Sequence, residues 1–181
     1  MIKRVLYILI SSLAVSLYSC GDDKRNVKND EKKIDIAAID TSLEKANRYM
    51  LLQEFEWIDD YVERHKLIVN QTGTGLRYQI LKEGDGDLIK RGDIVTLEYE
   101  VDLITGDRVY SSKEDGNKTF VVGRGGVESG LEEAILKLRN NSVAVLILPS
   151  HLAHGLLGDG ERIPPKSPIV YYVKVIDVKN K

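Results

Sequence analysis

The sequence predicts an α+β fold: an antiparallel sheet of about five strands wrapped around one short helix, preceded by a longer amphipathic helix. Three observations predict it. Short β-rich runs recur between Gly/Asp turn signals along the C-terminal part of the chain. A single stretch among them, residues 129–138, carries its apolar residues at helical spacing. Upstream, residues 41–65 place apolar side chains on one helical face and charges on the other.

Taken in order, the chain opens with the basic segment Met1-Ile2-Lys3-Arg4 and a thirteen-residue, mostly apolar run over 5–17. That run is short for a bilayer span and suits the hydrophobic region of a signal peptide. Leu17-Tyr18-Ser19-Cys20-Gly21 follows and resembles a bacterial lipobox, in which the cysteine thiolate takes a diacylglyceryl group. Cys20 is the sole cysteine, and its place at the end of the run favours lipidation over an incidental thiol. Residues 1–19 therefore read as a lipoprotein signal peptide. Residues 20–40 read as a charged tether, with eleven charges of mixed sign between 21 and 40. A flexible chain of that length reaches about 25 Å.

A capping box, Thr41 with Glu44, opens the helical segment assigned to 41–69. Its apolar stripe is Leu51, Phe55, Ile58 and Val62, flanked by Met50, Trp57 and Tyr61. A stripe this wide needs a partner, either the domain that follows or the same helix of a second copy through 41–65. A turn cluster at 70–75 leads into β-rich runs at 76–81, 94–103, 108–112, 119–122, 143–149 and 169–178. The 129–138 helix, with Leu131, Ala134, Ile135 and Leu138 inward, is the natural cover for the sheet's apolar face.

Composition narrows the chemistry. The 181 residues carry 26 Lys and Arg against 28 Asp and Glu, a formal net charge of −2, so no cationic excess exists to grip nucleic acid. One cysteine excludes an intrachain disulfide and a cysteine-based zinc site. Phosphate-binding glycine loops, a nucleophile elbow and a zinc-protease motif are all missing. His151 and His154 have no third ligand at telling spacing, and Glu132-Glu133 read as a solvated helix surface. No metal or cofactor is expected.

Between residues 73 and 179 the order of motifs resembles an FKBP-type peptidyl-prolyl isomerase domain. Gly84-Asp85-Gly86, then Lys90-Arg91-Gly92-Asp93-Ile94-Val95, resembles the family's first block. The strand Leu97-Glu98-Tyr99-Glu100-Val101-Asp102-Leu103, with Gly106 and Ser111-Ser112, resembles its second, and Phe120-Val121-Val122-Gly123 with Val127-Glu128-Ser129-Gly130-Leu131 its third. Pro149 to Gly155 and Ile163-Pro164-Pro165 to Tyr171 resemble the last. With the lipobox and leading helix, the whole chain is similar to the gliding-motility-associated lipoprotein branch of that family.

The resemblance implies a cofactor-free rotation of X-Pro bonds in proline-containing client polypeptides. It implies a cup made of Tyr99, Val109, Tyr110, Val127, Leu131, His154, Ile163 and Tyr171, with the backbone amide of Glu128 holding a substrate carbonyl. Phe120 is a candidate for a further wall. Several residues depart from the family pattern. Val109-Tyr110 stand where the family has Phe-Asp, so the acidic group beside the prolyl ring is expected to be missing. Leu131 replaces an indole floor, His154 a tyrosine and Tyr171 a phenylalanine. The reading is therefore a weak isomerase, or a non-catalytic proline-binding or chaperone module, anchored at the cell envelope through Cys20, with the outer membrane as the expected location. Labelled palmitate is expected to enter the wild-type chain in bacteria and to be lost in Cys20→Ala; label surviving that substitution refutes the anchor.

Overall fold

The computed structural model describes residues 36–180, with side chains from 44 onward. The signal peptide, Cys20 and the tether up to residue 35 lie outside the described residues. One compact unit runs Asp40–Lys181, and the architecture below is that of its described part.

Helix α1, Ile36–Arg64, spans 29 residues. It begins five residues before Thr41, so Thr41 and Glu44 lie within it and do not cap it, and the last residues of the expected tether are helical. Ile36-Ala37-Ala38-Ile39 suits the helix ahead of Thr41, since alanine favours a helix and neither Gly nor Pro interrupts. The helix closes at Arg64 rather than at 69. Lys66 turns left-handed, with φ of 53°. The Leu67 amide donates back to the Val62 carbonyl at 3.0 Å, satisfying an end-of-helix acceptor.

The sheet contains seven described strands, more than the expected five: β1 Asn70–Gln71, β2 Arg77–Lys82, β3 Ile94–Leu103, β4 Arg108–Ser111, β5 Lys118–Val121, β6 Val143–Leu148 and β7 Ile169–Lys179. The excess comes from a two-residue edge strand, β1, and from β4 and β5 sharing one flank of β3. Pairing is antiparallel throughout, in the order β1-β2-β6-β7-β3-β4, with β5 also on β3. Residues 94–97 of β3 pair with β5 and residues 100–102 with β4. A four-residue helix that the sequence reading did not anticipate, α2 (Ser112–Asp115), links the two strands.

Alternation along β6 and β7 sends side chains to both faces, and both are buried. Inside, Leu146, Leu148, Ile169, Tyr171 and Val173 pack with Leu131, Ala134 and Ile135 of α3, Ser129–Ile135. Gly130 lets α3 lie close to β6, for a Cβ there would sit 2.6 Å from Leu148 Cγ. Outside, Val145, Ile147, Val170 and Tyr172 meet Ile58, Tyr61, Phe55 and Val62 of α1. Intrachain docking is thus one partner of the helix stripe.

The docked stripe is rotated from the expected one. Glu54, Ile58 and Tyr61 are buried, whereas Leu51 and Trp57 remain 39% and 47% exposed. The cause is polar. The Glu54 carboxylate, 5% exposed, accepts the Ser150 amide N–H and, at 2.8 Å, the Ser150 hydroxyl. The Tyr61 and Tyr172 hydroxyls meet at 2.8 Å, and buried Arg77 donates to Asp59 at 2.6 Å. In urea titrations, Ile58→Ala should lower the unfolding free energy by about 2–4 kcal/mol through an uncollapsed void. Glu54→Ala should lower it by about 1–3 kcal/mol by stranding the Ser150 amide.

Candidate active site

Strand pairing sets the walls. Val101 faces Tyr171 and Tyr99 faces Val173 across β3 and β7, so Tyr99 and Tyr171 stand diagonally on the inner face. Their ring centroids are 6.1 Å apart, tilted by 49°. Leu131, in the first turn of α3, rises from below and is fully buried, and Ile163 reaches in from the loop before β7. Those four belong to one apolar cluster, with Phe120 also in it and Val109, Tyr110 and Val127 packed against it. The structure therefore brings the apolar site residues named from the sequence together.

The remaining two, Glu128 and His154, bring polar groups into the cup. Glu128 is the residue just before α3 and its carbonyl accepts the Glu132 amide at 3.0 Å. Its carboxylate folds inward, only 9% exposed. Tyr171 donates its hydroxyl to Oε1 at 2.8 Å, and His154 Nε2 lies 3.2 Å from the same oxygen. Lys118 Nζ, on β5, is 3.5 Å from Oε2 and donates to the Tyr171 hydroxyl at 2.9 Å. The ammonium also sits 5.1 Å and 5.4 Å from the ring centroids of Tyr99 and Tyr171, within cation–π range. An oily aromatic hollow was expected. The structure instead places an ion pair among the aromatic walls.

The rim corrects a second expectation, that no acidic group stands near the site. Tyr110 hydrogen-bonds the Asp159 carboxylate, which also accepts the Glu161 and Ile163 amides at 2.9 and 2.8 Å. Arg162 stacks 4.7 Å from the Tyr110 ring centroid, donates to the Val109 carbonyl at 2.9 Å and pairs with Asp115 at 3.3 Å. The acidic group at this rim thus comes from the loop before β7 and faces Tyr110 of β4. That loop needs Gly158, where φ is 71° and a Cβ would fall 2.2 Å from the Ile163 carbonyl oxygen.

Lys118, Asp159 and Arg162 were missed from the sequence. Lys118 was within reach: it lies two residues from buried Phe120, so both side chains take the same face of β5. Asp159 had no such signal, because its partner is 49 residues away. Glu132 and Glu133 are not simply solvated. Glu132 accepts the Gly123 and Gly125 amides at 2.5 and 3.1 Å, and Glu133 accepts the Thr74 hydroxyl at 2.7 Å. His151 turns away from His154, its Nε2 lying 2.9 Å from the Thr74 carbonyl.

These contacts set the ionisation. Burial pushes the Glu128 carboxyl upward, but Lys118, the residue's own backbone amide, the Tyr171 hydroxyl and His154 together hold it below the usual range. Burial, reinforced by the Glu128 charge and hydrogen bond, raises Tyr171 well above an ordinary phenol. Burial likewise raises Tyr99, aided by Asp115 and Glu128. Tyr110 is pushed up to about 12, mainly by its bond to Asp159. Asp159 drops to about 2, because partial burial is outweighed by Tyr110 and the two amides.

A larger cavity, about 1060 Å³, opens between α1 and the loops after β6. Met50, Leu51, Trp57, Ile104, Leu156 and Pro165 are among its lining residues. It does not contain the Tyr99–Tyr171 walls.

Residues 86–176 match the family model described as FKBP-type peptidyl-prolyl cis-trans isomerase. The chain belongs to this family. Over 111 residues it is 37% identical to a probable FKBP-type isomerase FkpA of Neisseria meningitidis, covering 61% of this chain and 40% of that relative. Over 111 residues it is 34% identical to the FKBP-type 22 kDa isomerase of Escherichia coli, covering 61% of this chain and 53% of that one. The chain thus spans about half or less of these two relatives' lengths. Among solved structures, the crystal structure of FkpA from Escherichia coli aligns with a TM-score of 0.62 at 25% identity, over 99% of this chain and 82% of that one. The α+β sheet-and-helix architecture is therefore that of an FKBP domain, preceded by a helix.

The depressed Glu128 value fixes a pH dependence. A carboxyl held low in the folded state contributes stability that is present above its unfolded value and lost as pH falls through the folded one. The urea midpoint of the wild-type chain should decline on acidification below the ordinary carboxylate range, and Glu128→Gln should flatten that decline while lowering the neutral-pH midpoint.

Proposed function

We propose that this FKBP domain is a weak prolyl isomerase that assists the folding of proline-containing polypeptides of the cell envelope. The carrying observation is the gathering of Tyr99, Leu131, Ile163 and Tyr171 into one inward-facing cluster at the start of α3. An X-Pro bond turns over a barrier of about 20 kcal/mol and, unaided, in tens of seconds. The twisted transition state has lost amide resonance and is less polar than either planar isomer, so an apolar cup binds it preferentially. In this reading the Glu128 amide holds a neighbouring carbonyl, and Val109, Tyr110, Val127 and His154 complete the cup. A carboxylate and an ammonium inside weaken that preference, and a deficit of a few kcal/mol is worth about 10²-fold or more in rate.

The lipobox at Cys20 and the charged segment after it support an envelope protein tethered to the membrane, with the outer membrane as the proposed site. A non-catalytic proline-binding or chaperone module is the second reading. The 1060 Å³ groove beside α1 favours it, as do the exposed Tyr49, Leu52, Trp57, Leu156 and Leu157. One face of α1 docks on its own sheet; the other remains available to a second copy, so a homodimer through 41–65 belongs to the proposal. The test is cis–trans exchange of an X-Pro peptide followed by NMR. Acceleration over buffer at high protein concentration is expected. A chain that leaves exchange at the buffer rate yet suppresses client aggregation is the chaperone module instead.

A further inference from the structure

The residue whose backbone amide would hold the substrate carbonyl carries a carboxylate that turns inward among the walls of the site. Three groups surround that carboxylate: the Tyr171 hydroxyl donates to Oε1 at 2.8 Å, His154 Nε2 lies 3.2 Å from Oε1 and Lys118 Nζ 3.5 Å from Oε2. The side chain is 9% exposed, so solvent screens these contacts little. Around it stand Tyr99 from β3, Lys118 from β5, Tyr171 from β7 and His154 from the loop after β6. Asp115, Asp159, Tyr110 and Arg162 occupy the rim. The Glu128 amide, His154 and Tyr171 are also groups assigned to a bound peptide in the isomerase reading.

We propose that the Glu128 carboxylate is an internal ligand of the prolyl site. It occupies the donors that a peptide carbonyl would use, and a peptide must displace it to bind. The consequence for rate rests on the isomerase reading; the occupancy of the donors does not. A carboxylate accepts hydrogen bonds about twice as strongly as a neutral carbonyl, so exchanging one for the other is unfavourable for the incoming peptide. The internal ligand is also already tethered in place and loses no translational freedom on binding. Its Oε2 accepts no hydrogen bond among the described residues, and its hold on Lys118 is ionic. The carboxylate is therefore gripped mainly through Oε1, by Tyr171 and His154, the two contacts that substrate would contest.

An internal competitor raises KM and acts less on kcat. Glu128→Ala in the full chain should lower KM for an X-Pro peptide by about fivefold, the equivalent of one net hydrogen bond, with the change falling on KM. It should also leave an empty anion hole. Formate titrated into Glu128→Ala should shift the Tyr171 and His154 ring resonances saturably, and should compete with peptide; wild-type resonances should not move. In Glu128→Ala/Lys118→Met, peptide should still bind and formate should not. If Glu128→Ala does not fold, Glu128→Gln keeps the shape without the charge and should shift KM the same way by a smaller factor.

An unchanged KM in whichever variant folds, while the wild-type chain accelerates exchange, overturns the proposal and leaves the isomerase reading intact. Formate shifting wild type and Glu128→Ala alike also overturns it. If no chain accelerates exchange, the isomerase reading fails, and the formate titration alone decides whether the carboxylate fills the hole.

Discussion

Strands β6 and β7 are apolar on both faces, and an antiparallel sheet in that condition must be covered twice. The inner cover is α3, seven residues long and able to approach closely through Gly130. The outer cover is α1, which lays Ile58 and Tyr61 against Val145, Ile147 and Val170. Everything at the site follows from this double coverage. Packing α3 into the concave face brings Leu131 beneath Tyr99 and Tyr171, and starting α3 there delivers the Glu128 amide and carboxylate to the same place. A sheet covered only inside would leave Val145, Ile147 and Val170 facing water. The leading helix therefore belongs to the domain's packing.

Glu128 and Lys118 form an ion pair among the aromatic walls of the cup. Burying Glu128 and Lys118 costs desolvation that their mutual attraction alone would not repay. It is tolerated because the charges are distributed. The carboxylate accepts the Tyr171 hydroxyl and lies beside His154, and the ammonium rests on two aromatic faces and a hydroxyl. Tyr171 is central, since its hydroxyl accepts from Lys118 and donates to Glu128. A phenylalanine there would leave both ions short of a partner. The hydroxyl that looks like a mild change in sequence is thus coupled to two charges that sit on other elements.

Much of the sheet was legible because its strands alternate and its turns are marked by Gly and Asp. Strand β3 falls on residues 94–103 as the pattern indicates, and the site residues on β3, α3 and β7 can be placed from it. The helix face was less legible. Hydrophobic periodicity selects Phe55, Ile58 and Val62, which pack on the sheet, and Leu51, which stays exposed; the seam also takes in Glu54, because the Ser150 amide and hydroxyl offer a buried carboxylate two donors. No local pattern reveals a donor 96 residues away. The same limit hid Asp159, whose partner Tyr110 stands on another strand. Local rules reach element type and facing; they do not reach polar contacts made across the fold.

Those long-range contacts concentrate in one segment, the loop between β6 and β7. Ser150 at its base clamps α1 through Glu54, and four residues later His154 touches Glu128. Gly155 and Leu156 line the groove beside α1, while Asp159 and Ile163 close the cup. The Lys166 amide returns to the Gly155 carbonyl at 2.9 Å, tying the two ends of the segment together. Helix docking and cup geometry are consequently built on the same short stretch of backbone. A single loop presents His154 to Glu128 and Ser150 to Glu54 only with the helix and the cup both in place, which is why the leading helix and the cup are better understood as one assembly than as a domain with an appendage.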